Sequence, residues 1–145
     1  MWIDRLTASP TTHALQLSAQ FAEQRQKVLA ENLANIDTPD HPTRRLDATA
    51  FQAALHEALE GSDRPGAQRL ELRGHAQVST GPDGKLAVRP ADEPASNVLF
   101  HDGTNARLER LLADVSENAL SYEMTMNLLR GRYQGLLRAI RGRVE

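Results

Sequence analysis

The sequence predicts a mainly α-helical protein, with long N- and C-terminal helices forming a coiled-coil-like pair, a short middle helix and a small irregular or β-hairpin insert. Three observations carry this. An apolar residue recurs at alternating steps of four and three through the last third of the chain. Gly and Pro are crowded between Gly61 and Gly103, which leaves both ends free of helix breakers over long stretches. Aromatic residues make up only 4% of the chain against 40% hydrophobic residues, so apolar surface is supplied by aliphatic stripes on helices. A length of 145 residues is that of one ordinary domain. It divides into an N-terminal helix over 11–36, a loop and short helix over 37–60, an irregular or β insert over 61–103 and a C-terminal helix over 104–141.

In the first helix, Leu15, Ala19, Ala22, Gln26, Leu29, Leu33 and Ile36 follow the 3–4 spacing with one polar exception. Phe21 and Val28 widen the stripe on one flank. Pro39 ends the helix, because the residue before a proline is pushed out of the α region. Residues 37–49, with Pro39 and Pro42, read as an extended loop. Thr49 and Gln52 then form a capping-box pattern ahead of Phe51, Ala54, Leu55, Ala58 and Leu59, which keep the helical period until Gly61.

In the insert, Gln77–Thr80 and Lys85–Val88 pair as strands across Gly81-Pro82-Asp83-Gly84, a turn by its chemistry. Pro90 and Pro94 limit the sheet to a small hairpin with mobile flanks.

The C-terminal helix carries the strongest pattern. Leu108, Leu112, Val115, Ala119, Tyr122, Met126, Leu129, Tyr133, Leu136 and Ile140 are all apolar or aromatic. Ten hits in one fixed register arise by chance with a frequency on the order of 10⁻⁴ by template counting. A sustained 3.5-residue period is the signature of a left-handed coiled-coil seam. A second line, Leu120, Met124, Leu128, Gly131 and Gly135, runs along the back of the helix. A helix apolar on two faces requires two partners: the N-terminal helix of the same chain and another subunit.

Several chemistries lack support. Seventeen Lys and Arg against nineteen Asp and Glu give a formal charge of −2, and a pI near 6.2 is not that of a dedicated nucleic-acid binder. The C-terminal arginines Arg130, Arg132, Arg138, Arg141 and Arg143 read as helix-end charges that complement the macrodipole. The absence of cysteine excludes disulfides, thiolate metal sites and a cysteine nucleophile. His13, His41, His56, His75 and His101 stand at no metal-ligand spacing and read as solvated or loop histidines. Gly84-Lys85 fails the phosphate-loop pattern at both flanks, and no serine lies in a nucleophile elbow. Neither catalytic residues, nor a cofactor, nor a small-molecule substrate is predicted. No apolar run approaches the roughly 20 residues that span a bilayer, and Met1–Leu6 lacks the apolar region of a cleaved secretory signal.

The segment Asn32-Leu33-Ala34-Asn35-Ile36-Asp37-Thr38-Pro39 resembles the signature that ends the N-terminal helix in the bacterial flagellar basal-body rod and hook proteins, Asn-[Ile/Leu]-Ala-Asn-x-x-Thr-Pro-Gly-Tyr. Asn32, Leu33, Ala34, Asn35, Thr38 and Pro39 match, and Asp40-His41 replaces the Gly-Tyr. The runs Ala14–Leu17 and Gln24–Ala30, Asp102-Gly103 and Glu117–Tyr122 are similar to the proximal-rod members, as is the length. The resemblance implies a structural rod subunit, made in the cytoplasm, exported by the flagellar type III apparatus without a cleaved signal, and assembled in the periplasmic rod to transmit torque.

The implied partners are copies of itself, other rod proteins and proteins of the membrane-ring and export-gate junction. Its assembly seam would be Leu15, Leu29, Leu33 and Ile36 with Leu108, Leu112, Val115, Tyr122, Met126, Leu129, Tyr133, Leu136 and Ile140. Leu120, Met124, Leu128, Gly131 and Gly135 would form the second interface. Asn32 and Asn35, three residues apart on one helix face, would hydrogen-bond the loop that reverses after Thr38. At this stage another flagellar axial protein and a non-flagellar helical adaptor remain alternatives.

Overall fold

The computed structural model describes residues 9–38, 41–63, 69–73, 75–93 and 103–142. Helix α1 (Pro10–Ala34) is followed by strand β1 (Arg44–Arg45), helix α2 (Ala48–Glu60) and a 3₁₀ turn (Gly61–Asp63). Strands β2 (Val78–Thr80), β3 (Leu86–Val88) and β4 (Ala91–Asp92) precede helix α3 (Gly103–Ile140). Pro39 of the sequence motif, Asp40, Pro94, His101, Asp102 and Arg143 lie outside the described residues.

Helix α1 starts at Pro10, whose missing N–H and fixed φ suit the first helical position. Ser9 caps it, its hydroxyl accepting from the Thr12 N–H at 3.1 Å. The helix ends at Ala34, two residues short of the expected Ile36, because Ile36 N–H bonds back only three residues, to the Leu33 carbonyl, and the chain tightens into a turn. The second helix begins earlier than its capping-box pattern implies. The Asp47 carboxylate accepts from the Thr49 and Ala50 N–H groups at 2.8 and 3.2 Å, so Asp47 is the cap and Thr49 lies inside the first turn.

The predicted hairpin forms as β2 and β3, antiparallel with Val78 opposite Val88 and Thr80 opposite Leu86. Its turn needs Gly84, which sits at φ +77°, a left-handed conformation that side chains with a Cβ resist. The stretch read as an extended loop contributes β1, which pairs antiparallel with β4 just after Pro90. A two-residue ladder needs no strand longer than the prolines permit.

The hydrophobic core lies between one face of α1, helix α2 and the insert. Ala14, Leu17, Phe21 and Val28 from α1 meet Phe51 and Ala54 from α2, together with Leu46, Leu70, Leu72 and Val78. Phe21 and Phe51 stack with ring centroids 4.1 Å apart. Residues expected only to widen the α1 stripe are therefore its core face. The approach to the hairpin also departs from the expected mobile flank: Leu70 and Leu72 are each 2% exposed, since alternate residues of an extended segment point to the same side.

Side chains of α1 fix the insert by bonding its backbone. Gln20 Oε1 accepts from Leu86 N–H at 2.8 Å. His13, read as a solvated histidine, instead joins two distant segments: Nδ1 accepts from Leu70 N–H at 2.8 Å, and Nε2 lies 2.9 Å from the Gly84 carbonyl. With Nδ1 accepting, the proton belongs on Nε2, which donates to that carbonyl. We expect His13→Ala to lower the unfolding free energy by about 1–3 kcal/mol, because a buried N–H loses its acceptor. Urea titration checks this; an unchanged midpoint would show that water replaces both bonds.

Helix α3 lies along α1, and its Asn118, Ser121 and Thr125 line a small cavity with Phe21 of α1 and Phe51 of α2. At 38 residues it is about 57 Å long at 1.5 Å per residue. Among the described residues, none of its side chains belongs to the buried hydrophobic cluster.

Candidate assembly interface

The end of α1 is built from the paired asparagines. Asn32 is 7% exposed. Its Nδ2 donates to the Arg44 carbonyl at 2.7 Å, and its Oδ1 accepts from Arg44 N–H at 3.0 Å. The amide thus pairs with β1 as a neighbouring strand would, while on the other edge the Thr43 carbonyl accepts from Glu93 N–H at 2.7 Å. Asn35 turns back on its own helix, donating Nδ2 to the Glu31 carbonyl at 2.8 Å. Its backbone carbonyl accepts from Thr38 N–H at 3.0 Å, which shapes the reversal. Leu33 and Ile36 are half-buried, and Ala34 is exposed. Asn32→Leu leaves both polar groups of Arg44 without partners and should cost about 2 kcal/mol. Asn35→Ala removes a helix-end bond and a long, exposed one at 3.4 Å from the Thr38 hydroxyl to Asn35 Oδ1, and should cost less. Thermal unfolding of the two variants tests the ranking, and the reverse order would contradict it.

Within the chain, α3 meets α1 along a line different from the stripe read in the sequence. Leu108, Val115, Leu129 and Leu136 are half-buried, as the seam requires. The alternate positions are shifted by one residue. Asn118 and Thr125 are buried, and Leu111 is half-buried, whereas Leu112, Ala119, Tyr133 and Ile140 are exposed; Met126 is half-buried and Tyr122 is 41% exposed.

The apolar template passed over Asn118 and Thr125 because they are polar. Each is satisfied by a hydrogen bond, which makes its burial tolerable. Asn118 Nδ2 donates to the Ala22 carbonyl at 2.9 Å and to Gln26 Oε1 at 3.0 Å. Thr125 Oγ1 donates to the Ser121 carbonyl at 2.8 Å. Asn118 is the residue that sequence reasoning missed; an asparagine inside an apolar heptad pattern is a known register device and was the available signal. Arg25 adds longer ion pairs to Asp114 and Glu117, at 3.6 and 3.8 Å. Gln16 Nε2 donates to the Tyr133 hydroxyl at 3.1 Å. The face of α1 carrying Leu15, Ala22, Gln26 and Leu29 is distinct from its core face, and Ala22 and Gln26 meet Asn118.

This arrangement leaves apolar surface on two flanks of α3. One flank carries Leu112, Tyr122, Tyr133, Leu137 and Ile140, between 39% and 70% exposed. It borders a groove between α1 and α3 of about 490 Å³, lined by Ala22, Gln26, Ala30, Ala119 and Tyr122, with Glu23, Lys27 and Glu123 at the rim. The other flank carries Leu120, Met124 and Leu128 at 68%, 65% and 53% exposure. Gly131 and Gly135 continue that line with open space where a Cβ would stand, so neither mediates a close approach to α1. Large apolar side chains exposed in line along a helix make these flanks candidate interaction surfaces. Among the described residues no group of three or more His, Cys, Asp or Glu could hold a metal ion, and no helix is long and apolar enough to cross a membrane.

No protein-family model matches the chain. Individual proteins do, over nearly their whole length. The chain is 31% identical over 132 residues to the flagellar basal body rod protein FlgB of Escherichia coli (strain K12), covering 88% of this chain and 87% of the relative. It is 30% identical over 147 residues to that of Salmonella typhimurium, covering 97% and 98%. The Bacillus subtilis protein of the same name is 24% identical over 134 residues, covering 92% and 95%. With two long helices, a small β insert and apolar surface left bare on the C-terminal helix, this chain belongs to the FlgB family, the structural subunits of the flagellar basal body rod.

Proposed function

We propose that this protein leaves the cytoplasm through the flagellar type III export apparatus without a cleaved signal and assembles through α1 and α3 into the periplasmic rod. There it packs against copies of itself, other rod proteins and the proteins joining the rod to the membrane ring and export gate. The observation that supports this best is the placement of exposed apolar side chains: among the described residues, eight large ones, from Leu112 to Ile140, stand on α3. Left in water they forfeit much of the roughly 1.5–3 kcal/mol that burial of such a side chain provides.

Assembly between neighbours recovers that energy and joins the subunits into a stiff shaft able to transmit torque. The role is mechanical, with no catalytic step, cofactor, nucleic acid or small-molecule substrate. Asn32 and Asn35, with Leu33, Ala34, Thr38 and Pro39, position the end of α1 for that assembly, and the seam and second-flank residues supply the contacts.

Mass spectrometry of purified hook–basal bodies alongside cytosol of the same cells tests the proposal. Enrichment of this chain with the basal bodies is expected. Its retention in the cytosol while other rod components are recovered would overturn the assignment and favour a free-standing helical adaptor.

A further inference from the structure

We propose that neighbouring copies pair head-to-tail, with the Leu120–Met124–Leu128 ridge of one copy seated in the groove between α1 and α3 of the next. The inference rests on the rod-subunit reading and names the partner of each apolar flank. Spacing supports it first. The ridge residues stand four apart, and the groove floor on α1 is Ala22, Gln26 and Ala30, also four apart. Both lines are about 12 Å long at the helical rise. Rows at this spacing are the ones that interdigitate most often when helices pack, and small residues in the opposing row make room for Leu and Met.

Charge agrees with this pairing. At the groove rim Glu23 is held by Lys27 at 2.8 Å, while Glu123 has no ion pair among the described residues. The ridge continues in helical register through Gly131 and Gly135 to Arg138, so the cation lies on the ridge and the free carboxylate beside the groove. The bare glycines let a neighbour's rim lie close to the α3 backbone.

Geometry then selects the symmetry. Ridge and groove occupy opposite flanks of α3, so a two-fold pair would join ridge to ridge and leave both grooves empty. Ridge-to-groove contact is heterologous and leaves each copy one free ridge or groove for the next, which is how a ring or helical shaft grows.

The absence of cysteine makes the test clean. Single-cysteine full-length chains are made at the groove (Ala30→Cys, Ala119→Cys) and on the ridge (Leu120→Cys, Leu128→Cys), all exposed positions. Groove and ridge variants are co-expressed, basal bodies are oxidised, and disulfide-linked dimers are identified by mass spectrometry. Purified chains mixed at high concentration provide the same readout for any variant that is not incorporated.

A mixed groove–ridge dimer in about tenfold excess over either variant alone is expected, from the effective concentration at a formed contact. Ridge–ridge dimers from one variant, or no mixed dimer from copies that are present, would overturn the pairing. Absence of the unmodified chain from basal bodies would count against the rod reading separately, while the purified mixtures still decide the pairing.

Discussion

Leu17→Ala is expected to lower the unfolding free energy by about 3–5 kcal/mol, the upper part of the range for deleting a buried leucine side chain. Leu17 is 0% exposed and lies in the cluster where α1, α2 and the insert meet. Three chain segments would have to move together to fill the cavity, and the stacked Phe21–Phe51 pair restrains two of them. That is a large share of the stability of a domain this size, typically about 5–15 kcal/mol, lost by removing one side chain. Urea titration of the purified chain measures it. A loss below about 1 kcal/mol would mean that the core relaxes freely.

The double substitution Leu120→Asp with Leu128→Asp should have the opposite profile. Both residues are exposed in the single chain, so folding stability should change by no more than about 0.5 kcal/mol per site, as at other surface positions. Incorporation into the basal body should be lost, because each carboxylate would be desolvated against apolar surface at a cost of several kcal/mol. Motility should disappear while circular dichroism and the unfolding midpoint remain those of the unsubstituted chain. A motile strain carrying the double variant would show that the ridge is solvent-facing in the rod. The pair of experiments separates what folds the subunit from what assembles it.

The parts legible in the sequence were those where one period governs a long segment. The 3–4 spacing and the breakers placed α1 and α3 to within about two residues, the usual uncertainty at a helix end. The turn chemistry of Gly81–Gly84 located the hairpin. What escaped depended on polar residues or distant partners. Asn118 and Thr125 interrupt no helix but displace the contact line, and an apolar count is blind to them. Leu70 and Leu72 alternate with Arg69, Glu71 and Arg73, a two-residue period that signals a half-buried extended segment and went unread amid glycines and prolines. His13 offered no local signal, because its partners lie 57 and 71 positions away. At the assembly surface, both apolar lines on α3 were visible as patterns, yet which flank meets α1 depended on Asn118.

The polar hold between α1 and α3 bears on the order of folding. Asn118 reaches Ala22 across 96 positions, and Tyr133 meets Gln16 across 117. Closing such long loops costs about 0.6 kcal/mol more per doubling of length, so the contacts of α3 with α1 are expected to follow the shorter-range contacts of the core. Among the described residues, the attachment of α3 then brings no member of the buried apolar cluster to offset that cost. Because its polar holds on α1 are the Asn118 bonds, the long Arg25 ion pairs and the Gln16–Tyr133 bond, with only half-buried apolar side chains between them, α3 is the element that can separate while the α1–α2–insert core stays whole.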